Sequence, residues 1–351
     1  MKKRYIKLEN GRTFEGYAFG ADTSCVGELV FTTGVCGYLE TLTDAAYYGQ
    51  IVLQTFPMIG NYGVIPEDVK SKCALSGYVV RECCDAPSNF RCQGDLDSFL
   101  KEQGISGVYG VDTRELTAII RENGVMNAMI CDDPDADVSS LSDYRITDAV
   151  AKVTSDTVEK ITCEGAVRKA AVINFGSAAK AVDELVARKC SVDVLPASVS
   201  ADELLSGGYD GVVLSGGPGD PADNEAAVGC ISAIFGKLPV FGIGLGHQLL
   251  AMAAGASTRK MKHGHRGGNQ PVKAVDGTRT YISSQNHGYE VVTDSITEGK
   301  VSFVNANDGT CEGIDYPDKK AFSVQFEPDI CRGTDTDAFL FDRFIDMMEG
   351  K

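Results

Sequence analysis

Four short segments in the second half of the chain carry residues that could bind or activate a substrate. They read LSGGPGDP at 214–221, GIGLGHQ at 242–248, SSQNHGYEV at 283–291 and AFSVQFEPDI at 321–330. The first two are glycine-rich turns, whose backbone N–H groups can stabilise an oxyanion or hold a carboxylate. The last two bring polar side chains to the ends of strand-like runs. These residue types suit a site that recognises a small polar molecule.

The centre of the second segment is Gly244, where an enzyme with this pattern would carry its nucleophile. The stretch LPVFGIGLGHQLLAMAAGA at 238–256 predicts an apolar strand, a sharp turn and a helix. A serine or cysteine at such a turn is held exposed, and the N–H groups that follow it can stabilise an oxyanion. Gly244 has no side chain, so it cannot form a covalent intermediate.

Each of these segments also has a plainer interpretation. GIGLGHQ is G-x-G-x-G rather than the G-x-G-x-x-G of a dinucleotide loop, and it lies several strands into the α/β region. LSGGPGDP lacks the Lys-Ser/Thr of a phosphate loop. It is either a Gly/Pro turn or a loop that directs the N–H groups of Gly217 and Gly219 at a ligand. SSQNHGYEV taken alone is equally compatible with a hairpin turn.

From Ala170 onward, short apolar strands alternate with helical stretches. Strands are predicted at AAVINF (170–175), SVDVLP (191–196), DGVVLSG (210–216) and LPVFGI (238–243), and helices at 177–189, 201–207 and 224–236. This alternation predicts βαβ units around a parallel sheet. Ligands of such sheets bind beyond the carboxyl ends of the strands, which is where both glycine-rich turns lie.

The first part of the chain has a different pattern, in which glycines separate short β-like runs. These runs are YIKLENG, TFEGYAFG, GELVFTTG, QIVLQTF and SGYVVREC. Helices are predicted at 95–104 and 112–124; in the second, Asp112 or Thr113 caps the start and Gly124 ends the helix. We therefore predict a smaller α+β domain at 1–131, a connecting segment at 132–169 with one or two surface helices, and an α/β domain at 170–351.

Charge and composition exclude several classes of protein. The net charge of -16 argues against a nucleic-acid partner and against binding to anionic membranes. No apolar run reaches the roughly 18 residues of a membrane-spanning helix, and the first residues lack the apolar core of a secretory signal. We expect a cytoplasmic protein whose 12 cysteines are free thiols. We expect no metal site, because CxxC pairs are absent and there are only four histidines.

Taken together, the four segments in this order resemble the triad class of glutamine amidotransferases. The stretches VFTTGVCGYLETLTDAAYYGQIV, FPMIGNYG and GVDTRELT resemble the N-terminal domain of the small subunit of carbamoyl-phosphate synthase. KMKHGHRGGNQPV and SSQNHGYEV are also similar to that subunit. The resemblance covers essentially the whole chain and implies a class-I amidotransferase-like parallel-sheet domain preceded by the α+β domain.

In that family the elbow reads G-I-C-L-G-H-Q and the late strand reads Q-G-H-P-E. The cysteine attacks the side-chain amide of glutamine, the histidine moves the protons, and the glutamate orients the histidine. Here the cysteine position is Gly244, the histidine position is Glu327 and the glutamate position is Asp329. The resemblance therefore implies an amidotransferase subunit whose glutaminase activity has been lost.

The positions that match the family's glutamine pocket retain more of its pattern. The resemblance implies that Leu245 N–H and Gly217 N–H would form the oxyanion hole. The full set of implied glutamine-binding residues is Gly34, Gly217, Gly219, Leu245, Gln248, Asn286, Gly288 and Tyr289. One departure lies at NFGSAAKAV (174–182), where the family pattern is the more polar D-F-G-x-K-x-N.

The resemblance also implies a partner. A small subunit of this family docks on the large subunit of carbamoyl-phosphate synthase and passes ammonia to it. ATP and Mg²⁺ are expected only on that large subunit, and no cofactor is expected in this chain. The product serves arginine or pyrimidine synthesis, which the residues do not distinguish. The alternative function is a non-catalytic module or paralogue that binds glutamine and regulates.

Overall fold

The chain forms two compact units in a computed structural model that describes residues 1–69, 71–277, 279–328 and 339–351. The units are Met1–Ile146 and Thr147–Lys351. The boundary between them lies inside the predicted connecting segment, 132–169, so that this segment is divided between the two units. Among the described residues, no helix has the length and apolar character needed to span a membrane.

The first unit is built from short strands and a few helices. Its strands are β1 (Lys3–Leu8), β2 (Thr13–Gly20), β3 (Cys25–Thr32), β4 (Gln50–Gln54), β5 (Met58–Ile59), β6 (Gly77–Val80), β7 (Glu82–Cys83), β8 (Ser106–Tyr109) and β9 (Met126–Cys131). Its helices are α1 (Tyr38–Leu42), α2 (Leu96–Gln103) and α3 (Thr113–Asn123). Seven strands form a closed barrel in the order β1-β2-β8-β6-β4-β3-β9, which β9 closes by pairing with β1. The α+β class predicted for this region is confirmed.

Helix α3 illustrates how the sequence sets local structure in this unit. The Asp112 carboxylate accepts hydrogen bonds from the N–H groups of Arg114 and Glu115, which satisfies two of the donors that a helix start leaves free. Leu116 and Ile120 lie on the buried face, and the helix stops before Gly124. The predicted cap and end of this helix are confirmed.

The second unit alternates strands and helices before it becomes mostly strands. Its strands are β10 (Glu159–Ile161), β11 (Arg168–Asn174), β12 (Cys190–Pro196), β13 (Gly211–Leu214), β14 (Val240–Ile243), β15 (Thr258–Ala274), β16 (Thr280–Val291), β17 (Lys300–Asn305), β18 (Cys311–Tyr316) and β19 (Ala321–Val324). Its helices are α4 (Ala149–Val153), α5 (Ala179–Ala187), α6 (Ala201–Ser206), α7 (Glu225–Ile234), α8 (Leu245–Ala253) and α9 (Phe339–Met348).

These strands form one sheet in the order β10-β12-β11-β13-β14-β19-β18-β17-β15-β16. The stretch from β12 to β19 is parallel, and the remaining pairs are antiparallel. Buried side chains form a cluster on each face: along β14, Val240 belongs to one cluster and Phe241 to the other. The predicted parallel sheet is confirmed. Because β13, β14 and β19 are parallel neighbours, the turns that follow them meet at one edge.

The hairpin-turn interpretation of SSQNHGYEV is wrong. Residues 283–291 lie inside β16, which pairs with β15 along most of its length. In this register Asn286 lies opposite Arg266, and Tyr289 lies opposite Lys260. The segment keeps extended backbone because β15 supplies an antiparallel partner that the local sequence does not reveal.

Candidate functional site

The elbow between β14 and α8 retains the backbone conformation of a nucleophile turn although its residue is glycine. Gly244 has φ 56° and ψ −114°, a region that residues with a side chain rarely adopt. Its N–H donates to the carbonyl of Val324 at 2.9 Å, and its carbonyl accepts from the N–H groups of His247 and Gln248. The turn is therefore anchored to β19 and to the start of α8.

Glu327 faces the position that a side chain at 244 would occupy. A Cβ atom built on Gly244 would lie 3.5 Å from Glu327 Oε1. Only the Cα of Gly216, at 3.3 Å, would be nearer, and the carbonyl oxygen of Gln325 would lie 4.0 Å away. The fold thus brings positions 244 and 327 together, as a nucleophile and its base must be, but fills them with a hydrogen atom and a carboxylate.

The Glu327 side chain lies over the glycine turn as well as over the elbow. Its Oε1 would be 2.9 Å from a Cβ built on Gly216, and its backbone N–H donates to Ser284 of β16 at 2.9 Å. A negative charge at this point opposes formation of a thiolate at position 244. Asp329, the third predicted triad position, lies outside the described residues.

The turn after β13 approaches the backbone of β11 very closely. A Cβ on Gly217 would lie 2.2 Å from the carbonyl oxygen of Phe175, so glycine is required there for packing. Gly219 lies against Ala149 of α4 and lines a cavity of about 260 Å³ together with Asp148 and Asp223. Close packing therefore accounts for Gly217, and Gly219 faces α4.

Leu245 and Gln248 are both buried near the start of α8. Because Leu245 is the first residue of α8, its N–H has no acceptor within the helix. Gln248 donates from Nε2 to the carbonyl of Tyr289 at 2.8 Å and to Oε1 of Gln325 at 2.8 Å. Gln248 thus ties the elbow helix to β16 and to the residue that follows β19.

The three predicted binding residues on β16 lie beside β15. Gly288 approaches Arg266, whose Nη2 would be 3.0 Å from a Cβ at this glycine. Tyr289 supplies the carbonyl that receives Gln248, and Asn286 pairs with Arg266 in the strand register. The structure thus connects Tyr289 and Gln248 directly, while Asn286 and Gly288 lie on the side of Arg266.

Gly34 belongs to the first unit, just after β3. Its carbonyl accepts from Gln54 Nε2 at 2.6 Å, and its N–H donates to Thr32 Oγ1 at 3.4 Å. The bond from Gln54 holds the loop that follows β3 against β4, and the bond to Thr32 is local to the end of β3.

Two residues near the elbow were not singled out from the sequence. His247 is fully buried, its Nδ1 lies 2.8 Å from Ser323 Oγ, and burial lowers its pKa to about 3, so the ring is neutral. Gln325 receives the amide of Gln248. Their positions in the sequence could have indicated them. His247 lies inside the glycine-rich motif, and Gln325 is the polar residue that follows the strand β19.

The fold and the elbow define the class of protein. Residues 171–347 match the family model described as "Glutamine amidotransferase class-I", and residues 6–130 match the one described as "Carbamoyl-phosphate synthase small chain, CPSase domain". Together these two matches include most of both units.

Full-length relatives give the same result. The carbamoyl phosphate synthase small chain of Clostridium perfringens (strain 13 / Type A) is 46% identical over 354 residues, which cover 98% of this chain and 99% of that protein. The corresponding protein of Listeria monocytogenes serotype 4b (strain F2365) is 43% identical, covering 100% and 98%. The "Carbamoyl phosphate synthase pyrimidine-specific small chain" of Bacillus subtilis (strain 168) is 42% identical, covering 99% and 96%. The chain belongs to the carbamoyl phosphate synthase small chain family.

Proposed function

We propose that this chain is a carbamoyl phosphate synthase small subunit that no longer hydrolyses glutamine and that supports a large subunit working from free ammonia. The observation that carries this proposal is the pair of positions 244 and 327. They are 3.5 Å apart, from the Cβ position of one to the carboxylate of the other, yet neither residue can perform its part of the reaction.

The chemistry of the pair supports the loss of activity. Glycine cannot form the thioester that the family's cysteine makes with glutamine. The Glu327 carboxylate cannot act as the imidazole does, which takes the thiol proton and then gives a proton to departing ammonia. Loss of a nucleophile, alone or with its whole triad, lowers turnover by about 10⁶-fold in a well-studied hydrolase.

The partner is inferred from the first unit and from the family. We propose that this chain binds a large subunit on which ATP and Mg²⁺ react, and that the complex works in the cytoplasm. Co-elution of the full chain with a carbamoyl phosphate synthase large subunit on a sizing column tests this step. Separate elution of the two at micromolar concentration would argue against a docking role.

The decisive experiment compares nitrogen donors in the complex. With large subunit, ATP, Mg²⁺ and bicarbonate present, ammonium chloride should support carbamoyl phosphate synthesis and glutamine should not. The ammonium arm is the internal control, because it establishes that the complex is competent. Ammonia release from glutamine at ordinary enzymatic rates would overturn the proposal.

A second candidate function is a regulatory module that binds glutamine without cleaving it. The hydrogen bond from Gln248 to Tyr289 favours this, since it holds the elbow helix beside β16, where the implied pocket lies. Calorimetric titration of the full chain with glutamine tests it, with asparagine as the matched control ligand. The absence of heat at millimolar glutamine would eliminate this function and leave the first proposal intact.

A further inference from the structure

A buried polar cluster joins β15, β16 and β18 at some distance along the sheet order from the elbow. Its members are His265 of β15, His287 of β16 and Glu312 of β18, all buried. Each offers one ligand atom, and these atoms lie within 4.8 Å of one another. The two histidine rings meet edge to face, with centroids 5.0 Å apart. The proposed function does not use this cluster.

The outer partners of the two imidazoles fix which nitrogen faces inward. His265 places Nε2 3.0 Å from a carboxylate oxygen of Asp308, and His287 places Nδ1 2.8 Å from the carbonyl oxygen of Tyr289. Both partners are acceptors, so these nitrogens carry protons. The inward atoms are Nδ1 of His265, 3.3 Å from Glu312 Oε1, and Nε2 of His287. Histidine ligands of metals are oriented in the same way, by a carboxylate or carbonyl behind the ring.

Protein hydrogen bonds alone leave the cluster one proton short. A neutral His287 has a single N–H, which Tyr289 receives, yet its Nε2 lies 3.2 Å from the amide oxygen of Gln285. Reversing the Gln285 amide satisfies His287 Nε2 only if Glu312, 3.0 Å from the other end of that amide, carries a proton, and burial raises the pKa of Glu312 in that direction. A cation bound by the inward nitrogens and Glu312 would take the place of this proton.

We propose, against the expectation of no metal site drawn from the sequence, that His265, His287 and Glu312 form a binding site for a divalent transition metal, with zinc as the best match. Two imidazole nitrogens and one carboxylate are a common zinc ligand set, and the Gln285 amide oxygen is the nearest further donor. Ligand atoms of a tetrahedral zinc ion lie about 3.3 Å apart, so a pair at the 4.8 Å limit must close by more than one ångström on metal binding. The register shifts of β15 near His265 are where the strand pairing can adjust. His287 lies between Asn286 and Gly288, so the metal would fix the implied glutamine-binding segment.

The metal-free state is defined by the same contacts. Burial lowers the pKa of His265, but hydrogen bonds with Asp308 and Glu312 raise it to about 9, and burial raises the pKa of Glu312. In the metal-free state His265 Nδ1 and Glu312 therefore share a proton. Metal binding must then displace the Nδ1 proton to solvent. The competing outcome is a cluster that binds no metal and is held together only by the hydrogen bonds of protonated His265.

Zinc titration of the chelator-treated full chain, kept reduced, tests the site. We expect the Glu312→Gln and His287→Asn variants to bind one zinc ion fewer per chain than the unaltered protein. The matched control is His263→Asn, which changes a half-buried histidine on β15, the strand of His265, and which should retain the full stoichiometry. Unchanged stoichiometry in the Glu312→Gln variant, or no zinc bound by the unaltered chain, overturns the proposal.

A second measurement is needed because cysteine thiolates also bind zinc, and because a variant that fails to fold would lose the site for an unrelated reason. Cobalt bound to two imidazoles and a carboxylate gives ligand-field absorption without a thiolate-to-cobalt charge-transfer band. We expect this spectrum from the unaltered chain at one equivalent of cobalt. If the variants fail to fold, this spectrum decides by itself: cobalt held only through thiolates, or not held at all, means that the cluster held by protonated His265 is the correct description.

Discussion

At the scale of single residues, the elbow has the backbone conformation of a nucleophile turn but lacks a nucleophilic side chain. The backbone of Gly244 keeps a positive φ, and Glu327 lies where a partner side chain must be, but no reactive atom is present. The identity of residue 244 was evident from the sequence. Its closeness to residue 327 was implied only by the family resemblance, because it depends on the parallel pairing of β14 with β19, which local patterning does not reveal.

The Gly244→Cys variant should remain inactive and become less stable. A side chain at this φ costs about 1–3 kcal/mol, and the Glu327 carboxylate raises the pKa of the new thiol. Urea unfolding measures the loss of stability. Glutamine hydrolysis in the presence of the large subunit measures whether the new thiol is active. Gly244→Ala separates backbone strain from thiol chemistry and should be destabilised similarly. Recovered hydrolysis in the single variant would contradict the expectation.

Combining Gly244→Cys with Glu327→His should activate the thiol. The imidazole would stand next to the nucleophile, because the Cβ position of residue 244 lies 3.5 Å from the residue 327 side chain. General-base assistance contributes about 10²–10⁴-fold, so thiol alkylation at neutral pH should accelerate by at least the lower figure relative to Gly244→Cys. Equal alkylation rates would mean that the two positions do not meet in solution.

At the scale of elements, a few polar contacts hold α8 and the barrel strands in place. Gln248 connects α8 to β16 and to the end of β19, and Arg4 connects β1 to the residue after β9. Patterning predicted α3 and the parallel strands, since these depend on local periodicity and caps. The long β15–β16 hairpin was missed, because its register depends on a distant partner rather than on turn residues near 286.

Replacing Gln248 with alanine should destabilise the second unit by about 1–3 kcal/mol, because the carbonyl of Tyr289 and the amide of Gln325 lose a buried partner. Urea unfolding followed by circular dichroism measures this. The control is Gln93→Ala at an exposed position, where a change within about 0.5 kcal/mol is expected. A similar loss in both variants would show that the Gln248 contacts contribute little.

The Asp132→Asn variant should reveal a pH-dependent contribution to barrel closure. Hydrogen bonds from buried Arg4 lower the pKa of Asp132. A lowered folded-state pKa adds stability above the ordinary aspartate pKa of about 3.9, and this stability is lost as pH falls through the folded-state value. The variant should therefore be less stable than the parent at pH 7, and the difference in their free energies of unfolding should be smaller at pH 3. The control is Asp135→Asn, at an exposed position. A stability difference between Asp132→Asn and the parent that does not change with pH would refute the assignment to the Asp132 carboxylate.

At the scale of the whole molecule, each unit has its own buried core. The barrel unit contains two apolar clusters that include Leu39 and Ile120, and the sheet unit contains two that include Leu249 and Phe322. Composition and alternation predicted two domains of the observed classes. The His265, His287 and Glu312 cluster could not be predicted, since residues far apart in sequence meet only through the sheet order.

Expressed separately, residues 1–146 and residues 147–351 should each fold, because each segment contains the partners of its own strands and helices. Dispersed amide resonances and a cooperative thermal transition for each fragment would establish this. A fragment ending at 131 serves as the comparison, since it lacks the main-chain acceptors at Leu141 and Tyr144 that receive Asn127 of β9. An unfolded 147–351 fragment would show that its core is incomplete without the barrel unit.

The positive φ at the elbow also has an evolutionary consequence. Glycine adopts this conformation without strain, so glycine in place of the family's cysteine removes a conformational cost together with the thiol. Restoring cysteine alone would bring back the strain without restoring catalysis, and restoring histidine alone would leave nothing for it to activate. If activity is lost as proposed, each single reversion is neutral or harmful, so neither substitution is favoured alone although the backbone conformation of the elbow is retained.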